Sequence, residues 1–137
     1  MVAVDAEQEA LDRLDARLPK GAAVRSVCAR FEDFPLGRYD VVIAGFSLFF
    51  LNAHQFGEFW PRLVAAILPG GLFAGQLLGV RDEWAERGYS THTADDVHRL
   101  LGDFEILYFE EVERDGETAV RTPKHWHVFH VVARKRA

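Results

Sequence analysis

The sequence contains one cysteine, Cys28, among 137 residues. A single thiol cannot form an internal disulfide, which is typical of proteins from reducing compartments, so we expect a cytoplasmic protein. Cys28 lies in the apolar run 24–29. A cysteine in such a run usually packs as a small buried hydrophobic side chain, so we predict that role for it rather than catalysis.

Membrane spans and basic surfaces are also missing. No apolar stretch approaches the roughly 18 residues of a membrane-spanning helix. The N-terminus lacks a basic region followed by the apolar core of a signal peptide. The 16 lysines and arginines are outnumbered by 21 acidic residues, and the net charge is −5. We therefore expect neither a membrane nor a nucleic acid as a partner, and we expect the basic tail at 134–136 to be solvated.

The composition that is present favours a folded enzyme-sized domain. Hydrophobic residues make up 49% of the chain and aromatic residues 12%, which argues against disorder. The length predicts a single domain over residues 1–137.

The order of apolar segments predicts an α/β fold. Val41 to Ala44 form an unalternating β-branched run, which is typical of a strand covered on both faces. Strands alternating with helices predict a mostly parallel sheet, and two final strands without a helix between them predict an antiparallel pair at one edge. The turn around Asp115 and Gly116 is expected to separate that pair. The predicted strands are 2–5, 24–29, 41–44, 72–80, 104–112 and 126–133, and the predicted helices are 7–18, 53–68 and 93–102, with a helical turn near Trp84.

An acid ends the first predicted strand. In nucleotide-binding α/β sheets, an acid at the end of the second strand accepts hydrogen bonds from ribose hydroxyls, about 20 residues after a glycine-rich loop. Asp5 has the right local setting, but no such loop lies upstream of it. The alternative is that Asp5 caps the helix that begins after it, and the two roles are compatible.

Three segments are similar to those of class I S-adenosylmethionine-dependent methyltransferases that act on small molecules. Residues 2–5 resemble the family's second strand with its ribose acid. Residues 31–35, followed by 38–42, resemble the approach to its fourth strand. Residues 63–71, which end in Pro69-Gly70-Gly71, resemble the helix end before its fifth strand and form the most specific of the three matches. The resemblance covers essentially the whole chain.

The resemblance implies S-adenosylmethionine as cofactor and a set of residues that bind it. Asp5 would bind the ribose. Arg30 lies near a position where an acid is common in the family; Phe31 would stack on adenine and Glu32 would accept from its amino group. Phe31 and Glu32 are equally compatible with an apolar anchor and a surface charge. After the fourth strand of the family, Gly45 would allow close backbone approach, and the following residue, Phe46, would face the sulfonium.

The same resemblance implies an acceptor pocket, and the spacing of three histidines argues against a metal site. Phe49, Asp82 and Trp84 are candidate pocket residues, although the loop that carries the last two is equally compatible with a purely structural role. Methyl transfer needs little acid–base help, so no catalytic triad is expected. His125 and His127 share one face of a strand and His130 faces the other way, so the three cannot converge on one tetrahedral ion.

The family's sheet order is 3-2-1-4-5-7-6, and this chain has no counterpart of the first strand or of the glycine-rich loop. We therefore expect an N-terminally truncated sheet. Its gap is closed by direct pairing of the strands at 2–5 and 41–44, or by a strand from another chain, or the chain folds poorly. Two functions follow: a methyltransferase, or a fragment of one, acting on a small-molecule acceptor, and a non-catalytic module for binding or dimerisation, with a homodimer or strand complementation as its assembly.

Overall fold

The structure, a computed structural model, describes all 137 residues and divides them into two compact units. The first unit is Met1–Leu36 and the second is Gly37–Ala137. The single domain over 1–137 stays a prediction.

The first unit is a strand–helix–strand element. It consists of β1 (Val2–Asp5), α1 (Gln8–Arg17) and β2 (Arg25–Cys28). The two strands pair in parallel, with Asp5 opposite Cys28. Helix α1 buries Leu11, and Ser26 Oγ of β2 donates a hydrogen bond to the Asp15 carboxylate at 2.8 Å. The parallel pairing brings the carboxyl ends of both strands to one edge of this unit.

Cys28 lies at that edge and is exposed to solvent. Its Sγ lies 3.5 Å from the carbonyl oxygen of Ala6. The prediction of a buried thiol is therefore wrong. The run 24–29 predicts a strand correctly, but a short strand at the end of a two-stranded sheet has no layer over the position that Cys28 occupies.

The second unit contains a five-stranded mixed sheet. Its order is β3-β4-β7-β6, with β5 paired to the end of β4. Strands β3 and β5 run parallel to β4, whereas β7 runs antiparallel to both of its neighbours. The predicted sheet, mostly parallel with an antiparallel terminal pair, is confirmed. The elements are β3 (Tyr39–Ala44), α2 (Ala53–Ala66), β4 (Ile67–Gly79), β5 (Thr91–His92), α3 (Ala94–Leu100), β6 (Phe104–Glu117) and β7 (Pro123–Lys135).

The terminal strand pair is longer than predicted. Asp115 and Gly116 were expected in a turn, but they pair with His125 and Lys124 inside the β6–β7 ladder. The reversal lies beyond Glu117, where Thr118 and Thr122 are joined by a backbone hydrogen bond of 2.9 Å. An Asp-Gly pair favours a hairpin turn, but here the strand pairing continues through it and the chain reverses only after Glu117.

Helix α2 joins the sheet through a cluster of aromatic and aliphatic side chains. The Trp60 ring packs edge-on against Phe73 of β4 at 5.2 Å between centroids, and Trp60 Nε1 donates to the Leu100 carbonyl oxygen at 3.2 Å. Pro61 lies inside α2. The side chains buried in this core include Phe59, Leu63, Leu77, Val97, Leu101, Phe104, Phe129, Val131 and Ala133.

Strand β3 contradicts the expectation of a strand covered on both faces. Val41 is 51% exposed and Ile43 is 74% exposed. Strand β3 pairs only with β4, and β1 pairs only with β2, so the two strands do not close a gap by pairing directly. The β-branched run predicted a strand correctly. Whether a strand is covered depends on the elements packed beside it, and no helix of the second unit covers Val41 and Ile43.

The helix ends are capped by side chains from near and far. Helix α3, which confirms the helix predicted at 93–102, opens with a capping box between Thr93 and Asp96. The basic tail was predicted to be solvated, but Lys135 Nζ donates to the carbonyl oxygens of Val64 and Ile67, at 2.7 and 2.8 Å. These oxygens end α2, where a cation offsets the negative end of the helix dipole.

A short 3₁₀ helix at Glu83–Arg87 confirms the helical turn predicted near Trp84. None of the helices is both long enough and apolar enough to cross a membrane.

Candidate functional site

Asp5 lies at the carboxyl end of β1, and one of its two carboxylate oxygens accepts a hydrogen bond. Its Oδ1 accepts the backbone N–H of Glu7 at 2.8 Å, at the start of α1. Its second oxygen, Oδ2, makes no hydrogen bond or ion pair within the chain. The carboxylate therefore supports the helix and still offers one oxygen to a ligand hydroxyl.

The turn after β2 lies at the same end of the first unit. Backbone N–H groups of Asp33 and Phe34 donate to the Arg30 carbonyl oxygen at 3.0 and 3.1 Å. The Arg30 guanidinium forms an ion pair with Glu32, with 3.0 Å between Nε and Oε1. Because β1 and β2 are parallel, Asp5 and the turn that carries Arg30, Phe31 and Glu32 share one sheet edge.

In the second unit, Gly45 and Phe46 follow the carboxyl end of β3. Phe46 has a φ of 45°, in the left-handed region that side-chain-bearing residues rarely adopt. Its backbone N–H donates to Gln76 Oε1 at 3.0 Å, which fixes this conformation. A Cβ added to Gly45 would meet only Gln76 Oε1, at 3.9 Å, so packing alone does not require glycine there.

A hollow of about 300 Å³ lies beside this strand end, on the sheet face left open by the helices. Its rim reaches Phe46, whose ring lies 6.2 Å from the imidazole of His130. Its lining includes residues two apart on each of three strands, because a strand presents every second side chain to one face of the sheet. Its lining includes Ile43, Ala74, Gln76, Tyr108, Glu110, His130 and Val132.

Six aromatic rings form a connected group next to the hollow, which we call the aromatic row. Phe46 contacts Trp126 at 6.0 Å, and Trp126 contacts Trp84 at 5.5 Å. Trp84 lies 6.3 Å from Phe50, which packs edge-on against Tyr89 at 5.4 Å. Phe49, the sixth member, is fully buried beneath Phe50 and Trp84 with Leu78 and Val128. The structure thus brings the predicted residues Phe46, Phe49 and Trp84 together.

Asp82 belongs to the support of this row, not to its surface. Its side chain and that of Lys124 are both fully buried and form an ion pair. Asp82 also accepts backbone N–H groups from Trp84 and His127, each at 2.9 Å. The Lys124 ammonium lies 3.6 Å from the Trp126 ring centroid and 4.5 Å from that of Trp84. A carboxylate so enclosed has no face left for an acceptor, so its predicted place in the pocket is not supported by the structure.

A second ionic group lies on the opposite face of β6 and β7. His127 is buried, and its Nδ1 accepts the backbone N–H of Arg81 at 3.0 Å. The ring proton therefore sits on Nε2, which donates to Glu111 at 2.7 Å. The Arg81 guanidinium donates to Glu113 at 2.7 Å. These contacts tie the loop after β4 to the terminal strand pair.

His125 extends this group into solvent. Its ring contacts Asp115 at 2.8 Å and Glu113 at 3.2 Å, and these carboxylates raise the pKa of His125, with Asp115 the larger cause. The Arg81 hydrogen bond, followed by that of His125, lowers the pKa of Glu113. As the sequence predicted, His125 and His127 face one side while His130 faces the hollow.

Sequence reasoning missed Lys124 and Arg81. Lys124, Trp126 and Val128 are spaced two residues apart on β7, so their side chains lie on the same face of the strand. That spacing was a usable signal, because a lysine inside an apolar alternation needs an acidic partner. Arg81 gave no such signal, since its partners come from a strand 30 or so residues away.

Comparison with solved structures gives the fold. No protein-family model matches the sequence, and no characterised protein of similar sequence was found. The N-methyltransferase NodS of Bradyrhizobium japonicum, in complex with S-adenosyl-L-homocysteine, matches with a TM-score of 0.75 and 14% identity. The 1,6-didemethyltoxoflavin-N1-methyltransferase of Burkholderia thailandensis matches at 0.71 and 22%. The magnesium protoporphyrin IX methyltransferase of Synechocystis matches at 0.69 and 15%.

The chain has the fold of class I methyltransferases. The matches cover 99% of this chain in all three cases, but only 66%, 61% and 59% of the other proteins. In the first unit, Asp5 and the turn after β2 lie at the carboxyl ends of two parallel strands. In the second unit, Gly45 and Phe46 follow the carboxyl end of β3, which is parallel to β4. Open α/β sheets bind ligands beyond such strand ends.

Proposed function

We propose that this chain binds S-adenosylmethionine and takes part in methyl transfer to a small-molecule acceptor. The observation that carries the proposal is Asp5, which offers a free carboxylate oxygen at a strand end of a methyltransferase fold. Two structures of this fold, those of NodS and of the toxoflavin enzyme, contain S-adenosylhomocysteine. The acceptors named for the toxoflavin and protoporphyrin enzymes are small molecules, which supports the same class here.

The residues present fit the adenosine part of this cofactor. Asp5 Oδ2 would accept from a ribose hydroxyl while Oδ1 keeps its bond to α1. Phe31 would stack on adenine, and Glu32, steadied by Arg30, would accept from the adenine amino group. In the second unit, Gly45 would allow close approach at the end of β3, and the partly exposed Phe46 ring would favour a cationic group.

Bound, the cofactor would supply a methyl group on a sulfonium, which is a strong leaving group. The protein then needs to place the acceptor in line and exclude water. Phe49 and Trp84 form part of an apolar wall suited to this task. Asp82 would contribute indirectly, by holding Trp84 in place, because its carboxylate oxygens already bind Lys124 and two backbone N–H groups. No side chain is assigned as an acid or a base.

Calorimetric titration with S-adenosylhomocysteine tests the proposal. We expect saturable binding in the micromolar range, weakened about tenfold or more by Asp5→Ala, which removes a charge-assisted hydrogen bond. Asp5→Asn keeps an acceptor for the Glu7 N–H, so its loss of affinity isolates the carboxylate's role from helix support. The matched control is Asp12→Ala, an acid on the exposed face of α1. A wild-type protein that is folded but does not bind would overturn the proposal.

A second function, a non-catalytic module that dimerises or accepts a strand from another chain, is favoured by β3. This strand has one unpaired edge and exposes Val41 and Ile43. This second function would account for a folded chain that binds no S-adenosylhomocysteine and associates with itself. The single cysteine is consistent with a cytoplasmic setting for either function.

A further inference from the structure

We propose that the aromatic row binds the planar ring of an uncharged aromatic acceptor, with Phe46 and Phe50 as the contacting residues. This proposal rests on the methyl-transfer function proposed above and adds the chemical class of the acceptor. It starts from the exposure of the row. Phe46 is 47% exposed and Phe50 is 53% exposed, whereas Phe49 between them in sequence is 1% exposed. Two large rings are thus presented to solvent on a buried aromatic base.

The rings are held in place before any ligand binds. The left-handed backbone at Phe46 is fixed by Gln76, and its ring rests edge-on against Trp126. Phe50 lies against Trp84 and Tyr89. Aromatic side chains have few rotatable bonds, so rings already packed on one side lose little entropy when a ligand covers the other.

The charge beneath the row argues for an uncharged ligand. Lys124 lies against the faces of both tryptophans, but its charge is balanced by Asp82 inside the protein. The buried base of the row is therefore neutral, and the cation at its edge is the exposed Arg87 guanidinium, 5.3 Å from the centroid of the Trp84 ring. A flat, neutral, conjugated ring matches this surface because stacked aromatic pairs gain about 0.5–1.5 kcal/mol beyond their buried area.

The position of the row connects it with methyl transfer. Phe46 follows the carboxyl end of β3 directly, and Trp84 lies in the 3₁₀ helix that follows β4. Ligands of open α/β sheets bind beyond such strand ends.

The test uses lumichrome, a neutral three-ring compound, as the probe in a Trp60→Phe background. Trp60 lies in α2 and packs against Phe73, outside the row, so its removal leaves Trp84 and Trp126, both in the row, as the only indole reporters. We expect saturable quenching of their fluorescence by micromolar lumichrome. Phe46→Leu and Phe50→Leu keep an apolar side chain but lose the flat ring, and each should weaken binding about tenfold, as expected for one lost stacking contact.

Two controls distinguish recognition of the aromatic ring from nonspecific apolar binding. Phe109→Leu makes the same change on β6 beside His98 and Phe129, outside the row, and should leave lumichrome binding unchanged. The saturated compound 1-adamantanol should not displace lumichrome. Absence of quenching, displacement by 1-adamantanol, or an equal loss in Phe109→Leu would each overturn the proposal.

Titration of the same proteins with S-adenosylhomocysteine distinguishes this proposal from the one on which it rests. Cofactor binding without ring-dependent lumichrome binding removes the acceptor proposal alone. Ring-dependent lumichrome binding without cofactor binding supports the aromatic row as a binding surface and removes methyl transfer.

Discussion

At the scale of single residues, the ion pair of Asp82 and Lys124 is the most demanding feature of the second unit. Removing two charges from water costs several kcal/mol each, and their attraction offsets this only when the remaining hydrogen-bond groups are satisfied. Here the carboxylate has two backbone N–H donors, and the ammonium has the His125 carbonyl oxygen and two indole faces. The pair therefore holds the loop after β4 on β7 and positions Trp84.

We predict that Lys124→Met lowers the free energy of unfolding by about 3–5 kcal/mol, because it leaves the Asp82 carboxylate buried without its cation. Urea denaturation monitored by circular dichroism measures this. Arg13→Met breaks an ion pair on the exposed face of α1 and serves as the control, with no change expected in the midpoint. A Lys124→Met protein as stable as the wild type would show that the buried pair has no net stabilising role.

His125 provides a pH-dependent contact at the same scale. Asp115 and Glu113 raise its folded-state pKa above the usual value of about 6.5. The stabilising contribution is therefore complete below that value and is lost as pH rises through the higher folded-state pKa. We predict that an NMR titration of the imidazole finds a raised pKa, and that Asp115→Asn moves it back toward the ordinary value. An unshifted titration in the wild type would refute the contact with both carboxylates.

At the scale of elements, the sequence predicted those helices and strands that depend on interactions between residues close together in the chain. The helix at 93–102 and the antiparallel terminal pair were both predicted from sequence and are both present. Long-range partners could not be predicted in this way. The Lys135 ammonium reaches the Val64 carbonyl oxygen across 71 residues of sequence, and no local pattern reports which helix end a basic tail will meet.

We predict that Lys135→Met destabilises the protein by about 1.5–3 kcal/mol, because two carbonyl oxygens at the end of α2 lose a charged donor. Methionine keeps the length of the side chain, so the loss reports the ammonium alone. Thermal unfolding by differential scanning calorimetry measures the effect. Arg134→Met, which removes a longer and more exposed ion pair to Glu105 at 3.8 Å, should change the midpoint much less. Equal effects of the two substitutions would argue against a specific cap.

At the scale of the whole molecule, the apolar character of β3 does not match its exposure to solvent. Val41 and Ile43 have the β-branched character of an enclosed strand, and sequence reasoning placed them there, yet they are exposed. Enclosure is a property of the assembled layers and not of one strand. The candidate site likewise combines residues whose place the sequence predicted with one whose orientation only the structure shows. Sequence placed Phe46, Phe49 and Trp84 near strand ends, but only the fold shows that Asp82 faces inward to Lys124.

The open edge of β3 leads to a prediction about self-association. An edge strand with unpaired backbone groups and apolar side chains is a template for pairing with another chain, and a lysine on such a strand opposes that pairing. We predict that the wild-type protein sediments with a mass that rises with concentration and that Ile43→Lys shifts it toward the monomer. Because the Ile43 side chain is 74% exposed, the substitution should leave the unfolding midpoint nearly unchanged. Val120→Lys is the matched control, since this residue is 83% exposed in the turn between β6 and β7 and should not alter association. A wild-type protein that stays monomeric at all concentrations would remove the dimerisation alternative, and equal dissociation by both lysines would point to net charge instead of the β3 edge.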